Sequence, residues 1–175
     1  MAVIYQFVCW ETAAQEHTKA CCAFFILRKF PKNSNAHTNN QDVEVYLVNM
    51  FDKLSLLQRL QELSFSETEY WVVAGSAMVL HGFRPHTHDI DLGCSTRLAD
   101  KLEQQGYAVS ICEDGNRKIL YSENVEIFEN WIEGTVEIIN GIPVVSVDGL
   151  IQMKKKLGRE KDLADIALIE KVRNC

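Results

Sequence analysis

Asp89 and Asp91 carry the sharpest chemical signal in this 175-residue sequence. They stand in Asp89-Ile90-Asp91-Leu92, where polar alternates with apolar as in a half-buried strand. Residues two apart on a strand point to one face, which sets these carboxylates about 7 Å apart along the chain. Like charges held so close repel unless a cation lies between them. Hard divalent cations take oxygen ligands, and Mg²⁺ is typically held by one or two carboxylates together with substrate phosphates. Two solvated acids on an open strand face are the alternative that the motif alone leaves standing.

Upstream, Tyr70-Trp71-Val72-Val73-Ala74 is short, aromatic and β-branched, which predicts a buried strand. Gly75 ends it, and Ser76 is suited to cap a short helix that stops at Gly82. A glycine at that turn lets the backbone approach a phosphate, and a helix N-terminus offers unpaired N–H groups to an anion. A Gly-Ser turn is equally an ordinary structural device. His81, His86 and His88, with Cys94 beyond them, match no compact zinc spacing. His88, beside the acidic pair, is a candidate substrate contact or proton carrier. Cys94 has no evident base to activate it.

The elements that must position these groups become regular from Val43. Leu54, Leu57, Leu60 and Leu63 recur at helical spacing and predict a helix over Phe51–Ser64. Thr96–Gln105 predicts another, stopped by Gly106. Strand patterns follow at Tyr107–Ile111, Arg117–Tyr121, Val125–Phe128, Thr135–Ile139 and Ile142–Val147, with a hairpin signal at Asn140-Gly141. Asp148 is placed to cap a helix through Leu157, and Glu160–Val172 forms the last one. The expected class is α+β, a mixed β-sheet flanked by helices. Residues 1–42 read differently, with two short apolar runs and a linker-like stretch from Pro31 to Gln41. They are expected to be an appended, partly disordered segment, leaving residues 43–175 as the domain.

The net charge is −6, and from Val43 onward 14 basic residues face 21 acidic ones. That balance argues against broad nucleic-acid binding, which needs a field of lysine and arginine. A single RNA end or a nucleotide remains compatible, because Lys154, Lys155, Lys156, Arg159 and Lys161 form a local cationic cluster. The longest apolar run, Ala20–Leu27, is eight residues, too short to span a bilayer. With no early basic residue and no cleavage signal, and with six cysteines in no disulfide-like framework, the expected location is the cytoplasm.

Taken together, Val73-Ala74-Gly75-Ser76, twelve residues and then Asp89-Ile90-Asp91-Leu92 resemble the signature of the DNA polymerase β-type nucleotidyltransferase superfamily. Met78-Val79-Leu80-His81-Gly82-Phe83-Arg84 and Gly158-Arg159-Glu160-Lys161-Asp162-Leu163-Ala164-Asp165-Ile166 look like its small bacterial members, among them the abortive-infection, type IV toxin relatives. The resemblance covers about 130 residues and implies the nucleotidyltransferase fold. It implies a third carboxylate between apolar residues on a neighbouring strand, supplied by Glu126, with Glu137 in reserve. It further implies that Asp89, Asp91 and Glu126 are catalytic and bind two Mg²⁺ ions, or Mn²⁺ in their place. Gly75 and Ser76 would hold the triphosphate, with Arg84, Lys154 and Arg159 as cationic nucleotide contacts. The expected reaction moves a nucleoside monophosphate from an NTP to a hydroxyl and releases pyrophosphate. The acceptor is left open among a small molecule, a tRNA end and a protein side chain. A different class of reading is a weakly catalytic regulatory module of the same fold, such as a toxin–antitoxin component with a protein partner.

Overall fold

The computed structural model describes residues 50–174. The expected boundary near residue 42 lies outside them. The chain opens with β1 (Phe51–Asp52), α1 (Lys53–Glu62), β2 (Tyr70–Val72) and α2 (Ala74–Leu80). Then come β3 (His86–Thr87), β4 (Ile90–Cys94), α3 (Thr96–Gln104), β5 (Ala108–Ile111), β6 (Arg117–Ser122) and β7 (Val125–Glu129). A hairpin, β8 (Val136–Ile139) and β9 (Ile142–Val145), leads into α4 (Val147–Leu157) and α5 (Glu160–Arg173). Seven strands form one sheet in the order β5-β6-β7-β4-β2-β9-β8, while β1 pairs only with β3. β4 runs parallel to β7 and β2 parallel to β9; every other pairing is antiparallel. This is the α+β class with a mixed sheet that the alternation of elements predicts. No helix of the described residues is long and apolar enough to cross a membrane.

Several element ends depart from expectation for identifiable reasons. The first helix begins two residues late because Asp52 caps it, its carboxylate accepting from the Ser55 N–H at 2.8 Å. The leucines whose spacing predicts this helix do not all face the core: Leu54 is 76% exposed and Leu60 is buried, as is Leu56 outside that row. Steps of three fall 60° short of a full turn, so four such leucines sweep around the helix. Leu56, Leu60 and Leu63, at i, i+4 and i+7, hold the true stripe. Ser146, not Asp148, caps α4 by accepting from the Gly149 N–H; Asp148 pairs instead with Arg173. The Asn140-Gly141 turn is as expected: both residues have positive φ, 53° and 79°, and Ile139 pairs with Ile142 across it.

Alternation divides the central strands. Val72, Ile90, Leu92, Ile119, Val125 and Ile127 are fully buried and share one core with Leu56, Leu60, Leu98 and Leu102. The opposite face carries Asp91, Gly93, Glu126, Phe128 and Trp71 by register. There the Trp71 indole N–H crosses Gly93 to donate to the carbonyl of Trp131 at 2.8 Å. A Cβ on Gly93 would lie 2.0 Å from that nitrogen and 2.6 Å from that oxygen. Gly93→Ala is therefore expected to break the bond and cost about 1–3 kcal/mol, read as a lower urea midpoint with a changed tryptophan emission. Unchanged emission and midpoint would mean that the indole does not lie across the strand.

Candidate functional site

The strand pairing decides where the acids meet. Asp91 of β4 lies directly beside Glu126 of β7 in the parallel register, so both side chains project from the same face. Asp89 is exposed just before β4 begins. Glu137 is on the edge strand β8, three strands away from β4, and approaches Nδ1 of His81 at 3.5 Å. The geometry thus brings Glu126 to the aspartates and leaves the reserve candidate elsewhere.

Asp89 is held through its backbone. The Ser76 hydroxyl, fully buried within α2, donates to the Asp89 carbonyl at 2.9 Å, and the Thr87 hydroxyl donates to the same oxygen at 3.1 Å. Ser76 is thus not the cap expected of it; Val73 holds the cap position, with no side-chain bond. With its hydroxyl on the Asp89 carbonyl, Ser76 braces the acidic loop. The sharp turn into α2 is made at Ala74, whose φ of +49° is unusual for an alanine and costs about 1–2 kcal/mol. Gly75 follows with little room to spare, since a Cβ there would meet the Thr87 hydroxyl at 3.0 Å.

Two clefts meet at the acids. One, of about 240 Å³, is lined by Gly75, His86, His88, Arg84, Lys154 and Asp165 among others. The second, of about 460 Å³, is lined by Lys118, Glu126, Phe128, Trp131, Asp114 and Asn116 among others. Ala74, Asp89, Asp91, Arg159 and Lys161 line both, so the acidic pair stands at their junction.

Burial, then the charges of Glu126 and Asp89, push the Asp91 carboxyl up to about 6, while Lys118 and Lys161 pull it down. Glu126 is held by Lys118 at 2.7 Å, both side chains about one-third exposed. Among the described residues no three acidic, histidine or cysteine side chains converge closely enough to hold a metal ion as they stand.

No protein-family model matches the sequence, and no curated protein matches it. Among solved structures, the chain is similar to a Thermotoga maritima protein described as a candidate nucleotidyltransferase. The TM-score is 0.49 at 17% identity, over 71% of this chain and 97% of that one. It is also similar to the lincosamide antibiotic adenylyltransferase LnuA in its lincomycin-bound form. There the TM-score is 0.39 at 16% identity, over 74% of this chain and 96% of the other. Likeness of this degree assigns no activity, and the chemistry rests on the side chains.

The expected cationic contacts are present but engaged. Lys154 is only 4% exposed, its ammonium 2.7 Å from Asp165 and 3.7 Å from Asp162. Arg84 also donates to Asp165, and Arg159 donates to both oxygens of Asp162 at 2.6 and 3.2 Å. Lys161, absent from the set of expected contacts, lines both clefts. The signal for it was available: Asp162, Asp165, Ile166 and Ile169 make a buried i, i+3, i+4, i+7 stripe that leaves Lys161 at its edge.

The remaining candidates separate cleanly. His88 and His86 line the smaller cleft, whereas His81 bonds the Val145 carbonyl at 2.9 Å. Cys94 is buried, its thiol pushed up to about 12 by burial first and by Glu129 second, which excludes a thiolate at neutral pH.

Proposed function

We propose that the protein transfers a nucleoside monophosphate from an NTP to a hydroxyl acceptor, with a divalent cation at Asp89, Asp91 and Glu126. The observation that carries this reading is the in-register Asp91–Glu126 pair, with Asp89, at the junction of two clefts. Such a junction suits an in-line displacement, because the leaving group departs on one side and the nucleophile enters on the other. The chemistry of the donor set suits a hard cation: Asp89, Asp91 and Glu126 offer carboxylate oxygens, and Asp91 is raised first by burial and then by the charges of Glu126 and Asp89, although the three do not converge on one point as they stand. Glu126 joins that set only by turning from Lys118. A bound cation supplies Lewis-acid polarisation and charge neutralisation at the phosphorus.

The chain's own groups do the rest. The Gly75 turn and the smaller cleft receive the triphosphate. The larger cleft admits the acceptor along Phe128 and Trp131, and its volume suits a small molecule or one projecting group of a larger one. Glu126 takes the hydroxyl proton as the acceptor oxygen bonds the α-phosphorus. The bond to the β-phosphate oxygen breaks, and pyrophosphate leaves. Incubation of the pure protein with each labelled NTP, Mg²⁺ or Mn²⁺ and cell extract should transfer label to an acceptor with pyrophosphate release. If no NTP labels anything under either metal, the transferase reading fails.

On this reading Glu126→Gln lowers transfer about a hundredfold or more, the usual range for loss of a general base. NTP binding should remain largely intact, and Glu137→Gln should change neither. Equal losses in the two variants would remove the distinction drawn from strand order.

The Lys118–Glu126 pair also favours a second reading, a weakly catalytic regulatory module whose third carboxylate is held by a lysine in place of a cation. One half of a toxin–antitoxin pair would be of this kind. Lys118→Met separates the two: a freed Glu126 should bind cation better, and turnover that rises from nothing would support the module.

A further inference from the structure

We propose that Lys161 is the side chain that contacts the transferring phosphoryl group, and that Arg84, Lys154 and Arg159 are its carboxylate-held frame. This rests on the transferase reading and deepens it by dividing the cations of the cleft into two kinds.

Three cations share two buried aspartates. Asp165 accepts from Lys154 and Arg84, and Asp162 accepts from Arg159 with Lys154 at 3.7 Å. These contacts fix the wall of the smaller cleft, since they tie α4, α5 and the Arg84 loop together. A guanidinium or ammonium so committed has fewer donors left for a ligand, and moving it would strand a buried carboxylate.

Lys161 differs on every count. It is exposed, and among the described residues it has no hydrogen bond and no ion pair, alone among the lysines and arginines lining either cleft. It sits in the first turn of α5, on a base anchored by the buried Asp162 and Asp165 next to it. It lines both clefts, and so does Asp91, whose carboxyl feels its charge. The one part of an NTP that must stand where the two clefts meet is the α-phosphoryl group, with pyrophosphate on one side and acceptor on the other. An ammonium there is a compact point charge with three rotatable donors, suited to oxygens whose charge shifts between bonds.

Calorimetric titration of each of the four ribonucleoside triphosphates with Mg²⁺ tests this. It compares the full chain with Lys161→Met, Lys161→Arg and, as a charge control on α3, Lys101→Met. The expected result is a Kd about tenfold or more higher for Lys161→Met, the loss of one charge-assisted contact. Lys161→Arg should stay within about threefold of the parent because the charge is kept, and Lys101→Met should match it. Circular dichroism melts guard against misfolding, which an exposed lysine gives little reason to expect. If the parent binds NTP and Lys161→Met binds equally well, the role of Lys161 is overturned while the transferase reading stands. If the parent binds no NTP with Mg²⁺ or Mn²⁺, the transferase reading is overturned and this role with it.

Discussion

Asp91→Asn is expected to melt about 5 °C or more above the parent protein at pH 8, while transfer falls at least about a thousandfold. The two effects share one cause. Burial and the charges of Glu126 and Asp89 hold the Asp91 carboxyl at about 6 in the folded protein, against an ordinary 3.8. A group raised on folding favours the folded state only while protonated. Its contribution is complete below about pH 4 and is lost as pH rises through about 6. At pH 8 the ionised carboxylate therefore costs the fold on the order of 2–3 kcal/mol. Asparagine keeps the shape without the charge, so the advantage of the variant should shrink to nothing near pH 4. Mg²⁺ with NTP should raise the melting temperature of the parent and leave the variant where it was, because the cation relieves the repulsion that asparagine has already removed. Melts across pH 4–8, with and without Mg²⁺–NTP, measure all of this. A variant that melts lower at pH 8 would mean that Asp91 is stabilised, not strained, by its surroundings.

That strain was partly legible in the sequence, and the limits are instructive. Asp-x-Asp alternation is local, so the strand and its two acids could be read directly. The partnership with Glu126 depends on β7 lying parallel to β4 after the β5–β6 hairpin, a long-range pairing that no local pattern encodes. Glu126 and Glu137 have the same local form, Val-Glu-Ile, and only sheet order separates them. Ser76 shows the opposite failure. A serine after a strand-ending glycine has every local mark of a cap, yet the turn is made one residue earlier, at Ala74. That places Ser76 inside α2, where its hydroxyl reaches Asp89, thirteen residues on. The cationic cluster was legible as charge but not as burial. Lys154 goes inward because α4 and α5 pack against each other, and two aspartates on α5 make its burial tolerable.

Lys154 accordingly carries the largest stability effect expected of any single side chain of the site. Methionine in its place fills nearly the same volume, so no cavity opens and the aliphatic packing survives. What it removes is the ammonium that faces Asp165 at 2.7 Å and Asp162 at 3.7 Å, both aspartates being nearly inaccessible. Removing one partner of a buried ion pair typically costs about 3–5 kcal/mol, mostly for the charge left behind. Asp165 keeps Arg84 and Asp162 keeps Arg159, which argues for the lower end, about 3 kcal/mol. Adding Asp165→Asn to Lys154→Met removes the stranded charge and should recover at least half of the loss. Urea unfolding of the parent, the two single variants and the double variant gives the coupling directly. Lys154→Met within about 1 kcal/mol of the parent would show that the pair adds nothing to the fold, and the cleft wall would then need another brace.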